Sequence, residues 1–422
     1  MTRVKALGRD TFRSLRQRNY RLYFFGQIVS VSGTWMQTVA QAWLVLRLTG
    51  SGVSLGITAA LQFTPLLVAG SWGGVLADRF DKRRLLIGTQ IVAGLLALTL
   101  GIVTAFDAAA LWNVYLLAFL LGCVNVVDNP ARQTFVLEMV GRDDLQNAVG
   151  LNSVVMNASR VVGPALGGIL IATVGLTVCF FVNAASYVAV IAALLAMNAA
   201  TLHRQPTVGR QKGQVRDGYR YVWSNRALRA QLLMMALIGT LAFNFHVILP
   251  LLATRTFDLG AGGYGAFMSS LGAGAVVGGL AAASRRTMSQ RRLVLLAASF
   301  GAALTAAAFA PTLALEVVAL VTVGITAFAY VATANTSLQL TSAPHMRGRV
   351  MALYAIAFLG STPIGSPLVG WVAQHHGARS ALVLGALAAL VAALYGWWAL
   401  VRNPARAAEP ALLVNAVEPK VA

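Results

Sequence analysis

The stretch FGQIVSVSGTWMQTVAQAW, residues 25–43, lies in the first long apolar segment of the chain and carries a polar stripe. The stripe consists of Gln27, Ser30, Thr34, Gln37 and Gln41, at spacings of three, four, three and four. On an α-helix, residues at these spacings share one face. A polar face on a segment otherwise apolar enough for lipid predicts a membrane helix that turns one side toward protein or water.

The composition of the whole chain extends this prediction to an integral membrane protein. Of its 422 residues, 58% are hydrophobic and 11% are charged, whereas soluble proteins carry about 25% charged residues. The apolar residues come in long blocks, and a bilayer-spanning helix needs roughly 20 of them. We therefore predict an all-α integral membrane protein.

Twelve apolar blocks can be counted along the sequence, and a polar insert divides them into six and six. We predict a tail at 1–19, a six-helix bundle at 20–199, a linker at 200–229, a second six-helix bundle at 230–401 and a tail at 402–422. The blocks fall at 20–46, 53–77, 85–106, 111–136, 146–173, 176–199, 230–254, 262–283, 292–310, 312–340, 347–374 and 379–401.

The net charge of +20 is distributed as expected for membrane topology. Lys and Arg concentrate in the tails and even-numbered connections, which the positive-inside rule places in the cytoplasm. We expect both termini to be cytoplasmic, in a multi-pass protein of the inner or plasma membrane. Topology accounts for the basic charge, so nucleic-acid binding is not expected.

The sequence shows no pattern typical of an enzyme or of a cofactor site. It lacks a nucleotide-binding P-loop, HExxH, GxSxG and a cysteine-rich metal cluster. The two cysteines, Cys123 and Cys179, fall inside apolar blocks and are interpreted as small core residues. We predict a non-enzyme without cofactor or metal.

A weak internal repeat relates the two halves. GPALGGILIATVG (163–175) aligns with GSPLVGWVAQHHG (365–377), with three glycines in register. Internal repeats are typical of secondary transporters, which bind substrate between the halves. Glycine-rich helix packing alone could produce the same similarity.

Two motifs resemble those of the major facilitator superfamily. The loop GGVLADRFDKRRLL (73–86) resembles its signature loop, except that Asp81 stands where glycine is usual; the matching positions are Gly74, Asp78, Arg79, Lys82 and Arg83. The fifth span resembles the antiporter motif of drug exporters, except that Ser159 replaces a glycine; the matching positions are Gly150, Gly163, Pro164, Gly167 and Gly168.

Together with DNPARQTFVLEMV (128–140), the second motif resembles the drug:proton antiporter branch containing the enterobactin exporter, macrolide efflux proteins and transmembrane secretion effectors. The resemblance implies two pseudo-symmetric six-helix bundles around a central cavity. The signature loop is interpreted as a gate, in which Asp78 pairs with Arg132 or with the positive end of the eleventh span. Alternatively, the charges of the signature loop reflect only the positive-inside rule. The glycines and Pro164 are interpreted as a hinge or seal, with plain helix packing as the alternative.

Polar stripes occur in spans one, four and ten, and span seven carries Asn244 and His246. The resemblance implies that these four spans line the central cavity. For span one, hydrogen bonding between helices is the alternative. Nearby aromatic residues favour a bulky amphipathic or aromatic solute. The predicted cavity residues are Gln27, Ser30, Thr34, Gln37, Gln41, Asn125, Asn244, Thr326, Tyr330 and Thr333.

Ionisable residues inside spans are functional candidates because they are costly to bury. The proton-coupling candidates are Asp128, Arg132, Arg160 and His246. Asp128 is the first choice, and the alternative is a structural ion pair with Arg132 or Arg160. His246 titrates near neutrality, or serves as a hydrogen-bonding helix residue. Glu316 is expected at the external surface and exposed.

These features predict a secondary active transporter that exports a drug-like or siderophore-like molecule in exchange for protons, by alternating access. The expected partners are this small molecule, protons and the lipid bilayer, and the protein is expected to be monomeric. The alternatives are an importer or a lysophospholipid flippase of the same fold, or a membrane sensor or scaffold that transports nothing.

Overall fold

The computed structural model describes residues 12–203, 214–284 and 289–402. Within these ranges the chain is helical, and no β-strand occurs there. The predicted tails (1–19 and 402–422) and the predicted linker (200–229) lie partly outside the described residues.

The first half contains six long helices that correspond to the first six predicted spans. They are α1 (Arg18–Thr49), α2 (Gly52–Arg79), α3 (Lys82–Ala105), α4 (Leu111–Val140), α5 (Leu145–Thr173) and α6 (Leu176–Leu195). Tight connections join them: Gly50 ends α1 in a left-handed conformation (φ 61°), a common C-terminal helix cap. Ser51 then accepts a hydrogen bond from the Ser54 backbone N–H and caps α2.

The second half begins with a short helix in the predicted linker, and two of its spans are interrupted. Its helices are α7 (Gln214–Ser224), α8 (Arg226–Leu241), α9 (Phe245–Leu251), α10 (Ala261–Ala283), α11 (Gln290–Ala308), α12 (Leu313–Thr341), α13 (Arg347–Phe358), α14 (Thr362–His376) and α15 (Ala378–Gly396). Span seven is α8 plus α9, and span eleven is α13 plus α14. Pro363 near the start of α14 lacks the N–H that a continuous helix would use.

Eleven helical segments in the described ranges are long and apolar enough to cross a membrane, which agrees with an all-α membrane protein. The remaining long helix, α1, has 32 residues but is not among the eleven. Its polar stripe lowers its hydropathy. A count of twelve crossings therefore stays a prediction.

The two halves repeat the same helix packing, six spans apart. In the first half α2 packs against α4 and α3 against α6; in the second, α10 packs against α12 and α11 against α15. The halves meet through two equivalent pairs, α2 with α14 and α5 with α10. This pairing is the one expected of a pseudo-two-fold axis between two related bundles.

The halves meet closely at one end of the bundle. We call this the apical end, which carries Gly50, Arg255 and Gln374; the basal end carries the start of α1 and the end of α15. A Cβ atom on Gly370 would lie 2.2 Å from the Gly52 carbonyl oxygen, and one on Gly168 would lie 3.0 Å from Gly265 Cα. Because Gly168 and Gly370 align in the internal repeat, the repeat corresponds to two equivalent close approaches between the halves.

Toward the basal end the halves diverge. The basal part of span eleven, α13, packs against α7, α8 and α12, all of which belong to the second half. On α5, a Cβ atom on the basal Gly150 would have nothing within 4 Å, whereas one on Gly168, about five helical turns closer to the apical end, would contact α10. Among the described residues the bundle is thus closed apically and spread basally.

Candidate functional site

A cavity of about 270 Å³ lies between the two halves. Both halves contribute to its wall, which combines amides, hydroxyls, aromatic rings and one guanidinium group. The lining residues are Thr34, Trp35, Gln37, Thr38, Gln41, Ala42, Leu55, Thr58, Ala59, Gln62, Phe63, Leu121, Arg160, Asn183, Tyr187, Phe243, Phe245, His246, Met268, Leu271, Gly272 and Phe328.

The polar stripe of α1 reaches this cavity over part of its length. Thr34, Gln37 and Gln41 are among its lining residues. Gln37 also accepts a hydrogen bond from Asn183 Nδ2 at 2.6 Å, so the stripe binds a neighbouring helix as well. Ser30 is buried but does not line the cavity.

Several other predicted cavity residues lie elsewhere. Asn244 joins two helices: it donates to the Thr240 carbonyl at 2.7 Å and accepts from Ser366 at 2.6 Å. Thr326 donates to the Thr322 carbonyl of its own helix at 2.9 Å, because a threonine hydroxyl can bond back to the preceding turn. The remaining three, which do not line this cavity either, are Asn125, Tyr330 and Thr333.

Sequence reasoning also missed part of the wall. Helix α2 contributes Thr58 and Gln62, and α6 contributes Asn183 and Tyr187. In each helix the two polar residues lie four positions apart and so form a polar stripe of a single turn. A stripe this short cannot be distinguished in the sequence from polar residues that hydrogen-bond between neighbouring helices.

Two of the proton-coupling candidates, Arg160 and His246, line the cavity. The Arg160 guanidinium lies over two aromatic rings, 5.2 Å from the Trp35 centroid and 4.4 Å from the Phe328 centroid. The His246 Nε2 atom is buried and has no hydrogen-bond partner among the described residues.

The other two candidates, Asp128 and Arg132, form a buried ion pair inside the first half. Arg132 donates to Asp128 Oδ2 from Nη2 at 2.6 Å and from Nε at 3.0 Å. Thr89 and Gln90 of α3 each donate to Asp128 Oδ1 at 2.7 Å. Arg132 also donates to Gln27 of α1, which places Gln27 in this cluster and not at the cavity. We call Gln27, Thr89, Gln90, Asp128 and Arg132 the charged cluster.

Tyr187 connects the charged cluster with the cavity. It lines the cavity, and its hydroxyl interacts with Thr34 and Asn183 and lies within electrostatic range of Arg132 and Asp128. A run of polar side chains therefore leads from the cavity wall toward the Asp128–Arg132 pair.

Hydrogen bonds across the halves close the apical end. Gln374 of α14 accepts from the Ser51 hydroxyl at 2.6 Å and from the Val53 backbone N–H at 3.2 Å. Arg255 donates to the backbone carbonyls of Gly50 and Gln374. We call these contacts among Gly50, Ser51, Val53, Arg255 and Gln374 the apical seal.

The signature loop at the basal end is tied to its own half. Lys82 forms an ion pair with Glu138 of α4 at 2.7 Å, and Arg83 donates to the Leu194 carbonyl of α6 at 2.7 Å. Asp78 and Arg79 end α2, and the Asp78 side chain is outside the described part of the structure. Arg132, one proposed partner of Asp78, pairs with Asp128.

The glycines of the antiporter motif place α5 between two neighbours. Cβ atoms on Gly163 and Gly167 would meet Trp35 and Met36 of α1 at 2.5 and 3.1 Å. Gly168 instead faces α10 in the other half. The Pro164 carbonyl oxygen also faces α10, 2.7 Å from the Cβ position of Gly265. Gly150 has no neighbour within 4 Å of its Cβ position. The motif thus mediates contact within and between the halves.

The expectation that Glu316 is exposed is wrong. Glu316 in the first turn of α12 is 0% exposed, and neither carboxylate oxygen has a hydrogen-bond partner in the described ranges. The sequence placed it correctly near the end of a span, but did not show that α12 is covered there. No group of three or more His, Cys, Asp or Glu residues suited to a metal ion occurs among the described residues.

Comparison with known proteins identifies the family. Residues 9–421 match the family model of transmembrane secretion effectors. The chain is 28% identical over 371 residues to the multidrug efflux pump Tap of Mycolicibacterium fortuitum, covering 84% of this chain and 89% of that protein. It is 23% identical over 378 residues to macrolide efflux protein A of Streptococcus pyogenes, covering 86% and 92% of the two chains.

The fold matches a solved structure, a bacterial homologue of the human lysosomal transporter Spinster. The TM-score is 0.72 at 14% identity, covering 90% of this chain and 96% of the other. This likeness confirms the predicted major facilitator fold, and the family confirms a transporter in place of an enzyme. The chain is therefore a member of the transmembrane secretion effector family, multi-pass efflux transporters of the major facilitator superfamily.

Proposed function

We propose that this protein exports a drug-like or siderophore-like small molecule across the cell membrane by proton-coupled alternating access. The observation that carries the proposal is the mixed polar and aromatic cavity between two related bundles that are sealed at the apical end. Such a cavity binds a solute from one side of the membrane and, after the bundles rock, releases it on the other.

Charge distribution supports an orientation for this cycle. The connections at the basal end carry most of the Lys and Arg residues, and the positive-inside rule places such connections in the cytoplasm. In this orientation the structure is an inward-facing state, because its halves are sealed apically and spread basally. Substrate then enters the cavity from the cytoplasm.

The charged cluster supports proton coupling. A carboxylate paired with an arginine carries no proton, and movement of the arginine to another partner favours proton binding by that carboxylate. Asp128 and Arg132 sit on α4, and their neighbours come from α1 and α3. Movement of α1, α3 and α4 relative to one another within the first half is therefore the step that we expect to release or bind the proton.

Solute accumulation tests the proposed function. Cells that express the chain are expected to accumulate less of at least one compound from a panel of antibiotics, dyes and siderophores than cells with an empty vector. Carbonyl cyanide m-chlorophenylhydrazone, which dissipates the proton gradient, is expected to restore accumulation. Efflux that survives complete uncoupling would contradict proton coupling. Increased accumulation would favour an importer, and flux of lysophospholipid alone would favour a flippase.

Replacing Asp78 with asparagine tests the gate. If the Asp78 carboxylate latches the outward-open state, its loss is expected to slow transport roughly 5- to 150-fold, as for a coupling free energy of about 1–3 kcal/mol. Expression and membrane insertion are expected to be unchanged. The matched control is Asp107→Asn, an exposed acid in the apical connection after α3. A fully active Asp78→Asn variant would show that the loop charges serve topology alone.

A further inference from the structure

Arg160 is a cation in the cavity wall that lacks a counter-charge. The ion pairs in the described part of the chain are Arg13–Asp144, Lys82–Glu138 and Arg132–Asp128, and none includes Arg160. The cavity lining contains no Asp or Glu residue. The Arg160 Nε atom is buried and has no hydrogen-bond partner among the described residues.

The aromatic contacts of Arg160 offset only part of the free-energy cost of burying its charge. A cation–π contact contributes about 0.5–2 kcal/mol, whereas a buried charge without a partner costs several kcal/mol. A ring contact also does not supply an anionic partner. The N–H groups lie in the plane of the guanidinium, and a carboxylate binds them through two parallel hydrogen bonds.

Arg160 also lies where the two halves meet. Its own helix, α5, and the Trp35 ring belong to the first half, whereas Phe328 belongs to the second. A Cβ atom on Gly272 of α10 would lie 2.6 Å from the Arg160 carbonyl oxygen. A ligand bound to this side chain therefore contacts both bundles.

We propose that Arg160 binds an anionic group of the transported molecule, and that the substrates are aromatic or bulky apolar molecules carrying a carboxylate or a similar charge. This inference rests on the proposed transport function and specifies its substrate class. The apolar part of the molecule packs against Phe63, Phe243, Phe245 and Phe328, which share the cavity with Arg160. A free anion without an apolar part would leave these rings unused.

Matched acids and amides test the proposal in the purified full-length protein. The probes are phenylacetate, 1-naphthaleneacetate and 1-pyreneacetate, each with its primary amide, and binding is measured by equilibrium dialysis. Charge-assisted hydrogen bonds predict that at least one acid binds the unaltered protein roughly tenfold to a hundredfold more tightly than its amide. Arg160→Gln is expected to abolish this preference, and Arg160→Lys to retain part of it, because lysine keeps the charge but loses the planar edge.

Arg226→Gln is the matched control. Arg226 also lies over an aromatic ring, 5.0 Å from the Trp398 centroid, but it is outside the cavity lining. Its replacement is expected to leave the preference for acids unchanged. The comparison in the unaltered protein, together with Arg160→Lys, still decides the proposal if Arg160→Gln does not fold.

The proposal is overturned if no acid binds the unaltered protein more tightly than its amide, or if the preference persists in a folded Arg160→Gln variant. Its failure differs from failure of the proposed transport function. Proton-dependent efflux without a preference for acids would refute only the anion-binding role of Arg160. A preference for acids without any efflux would support that role and refute the exporter function.

Discussion

Asp128→Asn is expected to abolish proton-coupled transport and to destabilise the first half. Asparagine has nearly the same shape but no charge, so Arg132 would remain buried without its counter-charge. Breaking a buried ion pair by removing one partner costs about 3–5 kcal/mol. The Arg132 side chain is 21% exposed, so we expect a value near the lower limit. Thermal unfolding in detergent and solute accumulation in cells measure the two effects.

The double variant Asp128→Asn/Arg132→Gln separates a structural role from proton coupling. Removing both charges is expected to recover much of the lost stability, because neither charge is then left alone. If the pair is purely structural, transport should recover with stability. If Asp128 carries the coupled proton, the double variant should be stable but remain uncoupled. Recovery of full, uncoupler-sensitive efflux would contradict a coupling role for Asp128.

Gly56→Ala is expected to weaken closure of the apical end. A Cβ atom at this position would lie 2.3 Å from the Ser366 carbonyl oxygen and 2.7 Å from Pro367 Cα. Both atoms belong to the backbone of α14, so the helices must separate. Overpacking of this kind costs about 1–3 kcal/mol, equivalent to a roughly 5- to 150-fold shift in the equilibrium between closed and open states.

Accessibility of a cavity residue measures this shift. Cys123 is exposed, which contradicts the expectation that both cysteines are core residues, whereas Cys179 is buried. In a protein whose Cys123 is replaced by serine, Thr38→Cys reports entry of a membrane-impermeant maleimide from the apical side. We expect faster labelling and slower transport in Gly56→Ala. Gly88→Ala is the control, since nothing lies within 4 Å of that Cβ position. Unchanged labelling with normal transport would show that α2 and α14 tolerate separation without opening the cavity.

The fold class could be predicted from the sequence because it depends on the length and hydropathy of each segment and not on individual contacts. Long apolar blocks specify membrane helices whatever their neighbours, and the stripe from Gln27 to Gln41 correctly predicted a helix with one polar face. The ten residue steps from Gln27 to Gln37 cover about 15 Å of helix axis. That length is enough for one stripe to serve two environments, the charged cluster and the cavity.

The tertiary partners of the site could not be predicted in the same way. Asp128 had two candidate cations, Arg132 and Arg160, and helical spacing allowed only the first to be placed beside it. The pairing with Arg132 also leaves Arg160 without an ion-pair partner among the described residues, and the sequence alone does not show this. In α12 the threonine spacing was helical, but Thr326 satisfies its hydroxyl within its own helix. Periodicity shows which residues share one face of a helix, but it does not show which other residues that face contacts.

The composition of the apical seal limits how the transport cycle can respond to its surroundings. Its hydrogen bonds join an amide, a hydroxyl, an arginine and backbone groups, without a carboxylate. Opening of the apical end therefore requires these donors and acceptors to exchange their partners for water, and protonation of a carboxylate within the apical seal plays no part in it.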